Sequence, residues 1–333
     1  KSNGTFYTSR AFGSGSSIHY IAAQAAVVAS QTTSARIIFG GRQYNPWTGN
    51  MHWWIARNSD LGGGAQEANT SNTEIMAPSF KGPNNPGTAA GGYLFSQCGI
   101  SGYMGIHKTY NGVNNFQGAG NDIKFAALSQ TTNTGWLLHP QDDSSTAYLN
   151  YRYSSNINIF SVELDSTTVN WKNKYTHSSG SQLMLDVNNV YSYMHLDKET
   201  DNILVTGRIT NPGSGTAGPG NHMCNYALSI KGSDGSVNWS RIFSSSNSSG
   251  TRQSMFGQKI AGFNGNVHLQ MCPVDSGAKQ LLLKFSNESP PAPQTVTFTT
   301  GETIDIYAGN ISGANYGSVV ASSVANIGNP TST

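Results

Sequence analysis

One short pattern occurs twice in the chain, and it restricts the fold more than any other feature. Residues 226 to 243 read Tyr-Ala-Leu-Ser-Ile-Lys-Gly-Ser-Asp-Gly-Ser-Val-Asn-Trp-Ser-Arg-Ile-Phe, and residues 159 to 175 read Ile-Phe-Ser-Val-Glu-Leu-Asp-Ser-Thr-Thr-Val-Asn-Trp-Lys-Asn-Lys-Tyr. Each is an apolar run, a turn-rich stretch and a second run carrying a tryptophan, Trp239 or Trp171, behind a shared Val-Asn. Turn residues such as Asp234-Gly235 join antiparallel strands, so each copy reads as a hairpin. Looser copies centre on Trp53 and end at Trp136, and a copy without tryptophan spans Asp275 to Phe285. A lone hairpin is marginal in water and must stack on further strands, so a recurring hairpin implies a recurring larger unit.

The rest of the chain uses the same grammar. Apolar segments such as 35–41, 92–96, 157–164, 202–209, 266–271 and 280–285 are short, β-branched or aromatic, and stop at Gly, Asn, Asp or Ser clusters. The Ala-rich stretch from Ile21 tolerates a helix, but its flanks favour a strand. Composition agrees: only 11% of residues are Asp, Glu, Lys or Arg and 38 are Gly, which suits strands and tight turns better than charged helix surfaces. Ahead of the Trp239 hairpin lie two more strand candidates, 190–196 and 202–209, joined by the turn 197–202. Four strands per unit is the plan of a propeller blade. The expected fold is therefore all-β, a β-propeller of about five to seven blades with a short C-terminal β or irregular tail. Residues 1–289 form the propeller in this reading. After Ser289-Pro-Pro-Ala-Pro, residues 290–333 are a Pro-rich linker and a small β segment, whose first strand alternatively closes the disc against the segment from Thr5 to Phe12.

With the turn, Gly235, Val237, Trp239 and Arg241 in this order, the sequence resembles propeller-forming repeats of the quinoprotein-like kind, also found in structural proteins of tailed phages. The resemblance covers residues 15 to 290 and implies a rigid disc, not one activity. Quinone-binding dehydrogenases of this shape need cofactor and calcium ligands that this sequence does not match, so no cofactor is expected.

The charge balance excludes several partners. Against 17 acidic groups the chain has 19 basic ones, and a net charge of +2 is too small for nucleic-acid binding. Six Trp, 15 Tyr and 13 Phe supply the apolar area of a folded core. No apolar run approaches the roughly 20 residues that span a bilayer, and no signal-peptide core follows Lys1, so membrane insertion is not expected. With Lys in place of an initiator Met, the sequence reads as a processed or partial product. Three cysteines, Cys98, Cys224 and Cys272, cannot form a closed disulfide set, which suits buried thiols and folding in a reducing cytoplasm before assembly. Asn3, Asn69, Asn238, Asn247, Asn287 and Asn310 open Asn-x-Ser/Thr triplets, which a chain this rich in those residues produces by chance.

No catalytic or metal set emerges. Asp142-Asp143 and the turn with Asp197, Glu199 and Asp201 read as solvated turns, and Glu163 alternates with apolar neighbours toward solvent. Histidines such as His52, His107, His139, His177 and His222 have no zinc spacing. No serine sits in a nucleophile elbow, and Gly62-Gly-Gly lacks the Lys of a phosphate loop. The recurrent tryptophans are expected to pack between blades. Together these readings predict a non-enzymatic structural or adhesive component of a large extracellular assembly, foremost a phage tail or fibre protein. It would be oligomeric, located in the virion or outside cells, and would bind other structural proteins. The alternative is a carbohydrate-binding propeller that contacts a host surface glycan through Tyr44, Trp47 and Tyr110. A propeller-shaped glycoside hydrolase ranks third.

Overall fold

The computed structural model describes residues 19–28, 36–44, 51–55, 66–68, 75–81, 93–100, 103–110, 122–129, 135–138, 146–153, 156–163, 166–184, 194–210, 223–273, 280–317 and 320–324. No described residue is helical, and the strand pairings with a register among the described residues, such as His19–Val28 with Arg36–Tyr44 and Met223–Lys231 with Val237–Ser246, are antiparallel. The chain divides into two compact units. One comprises residues 1–147, 163–168 and 318–333, the other residues 148–162 and 169–317.

In the first unit, β1 (His19–Val28), β2 (Arg36–Tyr44), β3 (Met51–Ile55) and β4 (Gln66–Ala68) pair in sequence order. The Ala-rich stretch is thus strand: short-range propensity yields to pairing with β2 from Val28 against Arg36 to His19 against Tyr44. A second sheet contains β5 (Ile75–Lys81), β6 (Tyr93–Ile100), β7 (Tyr103–Tyr110) and β8 (Asp122–Ser129), with Val320–Val324 on the outer side of β8. The short β9 (Gly135–Leu138) follows and carries Trp136.

The second unit contains the two repeated hairpins. Following β10 (Thr146–Tyr153), the first hairpin is β11 (Asn156–Glu163) with β12 (Val169–His177). After β13 (Leu183–Met184), β14 (Met194–Asp197) and β15 (Asn202–Thr210), the second is β16 (Met223–Lys231) with β17 (Val237–Ser246). Their registers break at the same place. Trp171 faces Ser161 while Val169 faces Val162, and Trp239 faces Ser229 while Val237 faces Ile230. In both, the Asn of Val-Asn-Trp is the extra residue of a β-bulge, which adds local twist and re-aims the next side chain. The turns match too: Glu163 N–H donates to Thr168 O and Lys231 N–H to Ser236 O, both at 3.0 Å. Thr168 N–H then donates to Ser166 Oγ, and Ser236 N–H to Asp234 Oδ1.

Beyond β18 (Arg252–Gln253), a separate sheet forms from β19 (Met255–Phe263), β20 (Asn266–Pro273) and β21 (Leu281–Ser286). Strands β15 and β16 are buried almost continuously, because side chains cover both faces, whereas β20 alternates between buried and half-buried. The core between these sheets holds Leu204, Ala227, Trp239, Phe243, Met255, Ile260, Val267, Leu269 and Met271, with Ile304 and Ile306 from the tail.

After the proline-rich stretch, the tail adds strands to sheets already built. β22 (Gln294–Thr297) pairs with β23 (Thr303–Ala308), β23 pairs with β17, and β24 (Ile311–Asn315) pairs with β12. The final strand, β25 (Val320–Val324), is the one on β8.

The tryptophans join successive sheets of this unit. Trp171 Nε1 donates to Gly232 O at 2.7 Å, in the turn behind β16, and Trp239 Nε1 donates to Asn287 O at 2.8 Å, just behind β21. Two residues on, Asn173 Nδ2 donates to Gly235 O at 2.9 Å and Arg241 Nε to Pro291 O at 2.6 Å. Tyr175 adds an O–H bond to Gly235 O at 2.6 Å, and burial raises its phenol well above the usual range.

Two substitutions test this arrangement. Trp239→Phe removes the indole N–H from a buried carbonyl and is expected to cost about 1–3 kcal/mol in urea unfolding. Gly235 has φ +72°, and an added Cβ would lie 2.5 Å from Asn173 Nδ2 and 2.6 Å from the Trp171 ring. Gly180 has φ +73° with nothing within 4 Å. Gly180→Ala should therefore cost only the left-handed backbone term of about 1–2 kcal/mol, and Gly235→Ala should cost more and red-shift tryptophan emission.

Candidate functional site

Tyr44 ends β2, opposite His19 and Met51, and Tyr110 ends β7, opposite Tyr93. They lie on different sheets of the first unit. Trp47 falls outside the described residues, as do His139, His222 and Asp142-Asp143.

Polar chemistry in the second unit gathers at three places. The most enclosed is the turn at Asp197, which is 2% exposed and not solvated as its polar sequence suggests. Its side chain accepts from Glu199 N–H at 3.3 Å, Thr200 Oγ1 at 2.8 Å and Asn287 Nδ2 at 2.8 Å. Asn287 is buried, and its own Oδ1 takes a second bond from the Trp239 indole at 3.2 Å. A buried polar side chain is costly unless bonded, and these bonds satisfy the site. Gly262 packs here because an added Cβ would lie 2.7 Å from Asp197. His195 Nε2 lies 3.2 Å from Gly262 O. The glycosylation triplet at Asn287 is thus closed off, while Asn238 and Asn310 are exposed.

The second place is the end of β12. His177 Nδ1 accepts from Ser179 N–H at 3.2 Å and lies 2.7 Å from Ser179 Oγ, which is 2.5 Å from Ser181 Oγ. Imidazole and hydroxyl are half of a nucleophilic relay, but both hydrogen bonds run to the same ring nitrogen and close the turn that Gly180 completes. Burial lowers the His177 pKa.

At the third, β23 docks on β17. Arg252 Nη1 donates to Ser244 Oγ at 2.7 Å, Nη2 donates to Tyr307 Oη at 3.2 Å, and Nη1 lies 3.6 Å from Asp305 Oδ2. Thr295 Oγ1 donates to Asp305 Oδ1 at 2.6 Å. Burial pushes the nearby Cys224 thiol up to about 11, so it is a neutral packing group. Beside this joint, Ser245, Gln253, Leu281, Phe298, Thr303 and Ile304 help line a cavity of about 20 Å³.

Glu163 accepts from Thr146 Oγ1 at 3.0 Å at a half-buried position. Among the described residues no group of three His, Cys, Asp or Glu is placed to hold a metal. The recurrence around Trp171 and Trp239 signalled the clamp, whereas Asn287 and Asp197 carry no signal beyond ordinary turn residues. No family model and no curated protein matches the chain.

Folding keeps His195 in a site where burial lowers its pKa, an effect that Gly262 and Asp197 partly offset. A histidine held below its ordinary value of about 6.5 binds its proton less well folded than unfolded, so stability falls as pH drops below that value. His195→Gln should flatten the fall in unfolding free energy on the acid side of about pH 6.5, measured by urea titration at several pH values.

Proposed function

We propose that the chain is a non-enzymatic structural or adhesive component of a large extracellular assembly, foremost a tail or fibre protein of a phage particle, built on a β-propeller. The observation that carries this reading is the repeated hairpin whose tryptophan is fixed to a turn of the next sheet. Repetition of one clamped unit yields a stiff body, and stiffness is what a particle component must supply. The polar, weakly charged composition suits a surface that meets other protein surfaces without strong repulsion. Successive meanders of up to four strands, β1 to β4, β5 to β8 and β14 to β17, support the propeller. Other structural proteins are the partners of this reading.

A second reading, a glycan-binding propeller, draws on Tyr44 and Tyr110, the terminal residues of β2 and β7. Quantitative mass spectrometry of purified particles tests the first. A fixed copy number per particle is expected. A chain absent from particles that binds a glycan array as free protein would favour the second reading.

A further inference from the structure

β21 is the counterpart of β16, but among the described residues it is the last strand of its sheet. Asn287 N–H donates to Gly265 O as Gly232 N–H donates to Asp201 O, and each of these turns receives the tryptophan of the preceding sheet. In the complete sheet, β17 follows and covers the far edge of β16. Among the described residues no strand pairs with the far edge of β21.

The bond from Asn287 fixes which amides face which way. In the β20–β21 register Asn287 pairs with Gly265, so Leu281, Leu283 and Phe285 bond toward β20 and Leu282, Lys284 and Ser286 turn their backbone groups outward. Side-chain burial is incomplete as well. Tyr226, Leu228 and Ile230, the equivalents on β16, are 0% exposed, whereas Leu281, Leu283 and Phe285 are only partly buried. Leu282 is 70% exposed.

Among the described residues β22 likewise has a strand on one side only, and all four of its residues are exposed, Val296 at 37%. Phe298 N–H donates to Glu302 O in the β22–β23 register, so Thr295 and Thr297 turn their backbone groups away from β23. Of the exposed large apolar side chains among the described residues, Phe263, Leu282 and Val296, two therefore stand on strand edges that no described strand covers. Pairing β21 with β21 of another copy would bring Lys284 against or beside its own equivalent, which like-charge repulsion disfavours. Gln294-Thr-Val-Thr297 is uncharged and has no such penalty.

We infer that β21 of one copy accepts β22 of a second copy as an added strand. The joint uses two different edges, so a single contact leaves each copy with one further edge to offer, and repetition yields a closed ring or an open chain according to the rotation between copies. The inference goes beyond the assembly reading and stands without it.

Sedimentation velocity of the full chain over a range of micromolar concentrations tests the joint. The mean mass is expected to rise with concentration above that of the monomer. Lys284→Pro and Thr297→Pro each remove one outward N–H without touching the inner ladder, and each should sediment mainly as small species with a near-ultraviolet spectrum like the parent's. An equimolar mixture should yield a dimer and nothing larger, because one variant offers only β22 and the other only β21. A parent that stays monomeric throughout, variants that assemble like the parent, or a mixture that gains no dimer overturns the inference. Should a proline variant fail to fold, Leu282→Lys keeps every amide and removes the apolar contact. At least tenfold weaker assembly supports the joint, and unchanged assembly overturns it.

Discussion

Successive sheets of the second unit meet through side chains, and the indole N–H is the group that sets their spacing. A ring of this size brings on the order of 150–250 Å² of contact, and its N–H must find an acceptor once buried. Trp171 and Trp239 find theirs on turn carbonyls of the sheet ahead. The acceptor is main chain, so the bond fixes the position of a turn irrespective of its side chains. The bulge at Asn170 and Asn238 directs the ring there, so the Val-Asn-Trp triplet combines register, twist and docking in three residues.

The same constraint explains why polar groups are buried where they are. Asn287 must present its carbonyl to Trp239, which places its amide beside Asp197 and Thr200. The turn that begins at Asp197 thereby becomes part of the joint between sheets. At Gly235 the equivalent joint is crowded enough that three side chains, from Trp171, Asn173 and Tyr175, leave no room for a Cβ or converge on its carbonyl. Closely packed interiors transmit such constraints, since few voids absorb a displaced atom.

Strand content was legible because it is local: alternation, β-branching and turn residues each act within a few positions. The role of the tryptophans was legible because it occurs twice, and the hairpin equivalence follows from one shared triplet. Asp197 was misread as solvated, because a polar turn looks the same in sequence whether water or Asn287 satisfies it. Prolines 290, 291 and 293 suggested a linker, and the strands beyond them pair with residues far back in the chain, which local pattern does not encode. The edge of β21 is equally non-local, since it depends on which described strands lie beside Leu282. Of the aromatics named for glycan contact, Tyr44 and Tyr110 are the last residues of β2 and β7.

The tail strands have a consequence for how the molecule is made. β23, β24 and β25 close on β17, β12 and β8 respectively, so strands synthesised later pair with strands synthesised progressively earlier. Such distant pairings are slow because the chain must first surrender the entropy of a large loop. During translation the outer edges of those three strands wait open, the condition in which chaperones find their clients. A polypeptide cut short by a premature stop before Thr303 keeps those edges bare, so incomplete copies carry a visible mark for quality control that finished ones lose.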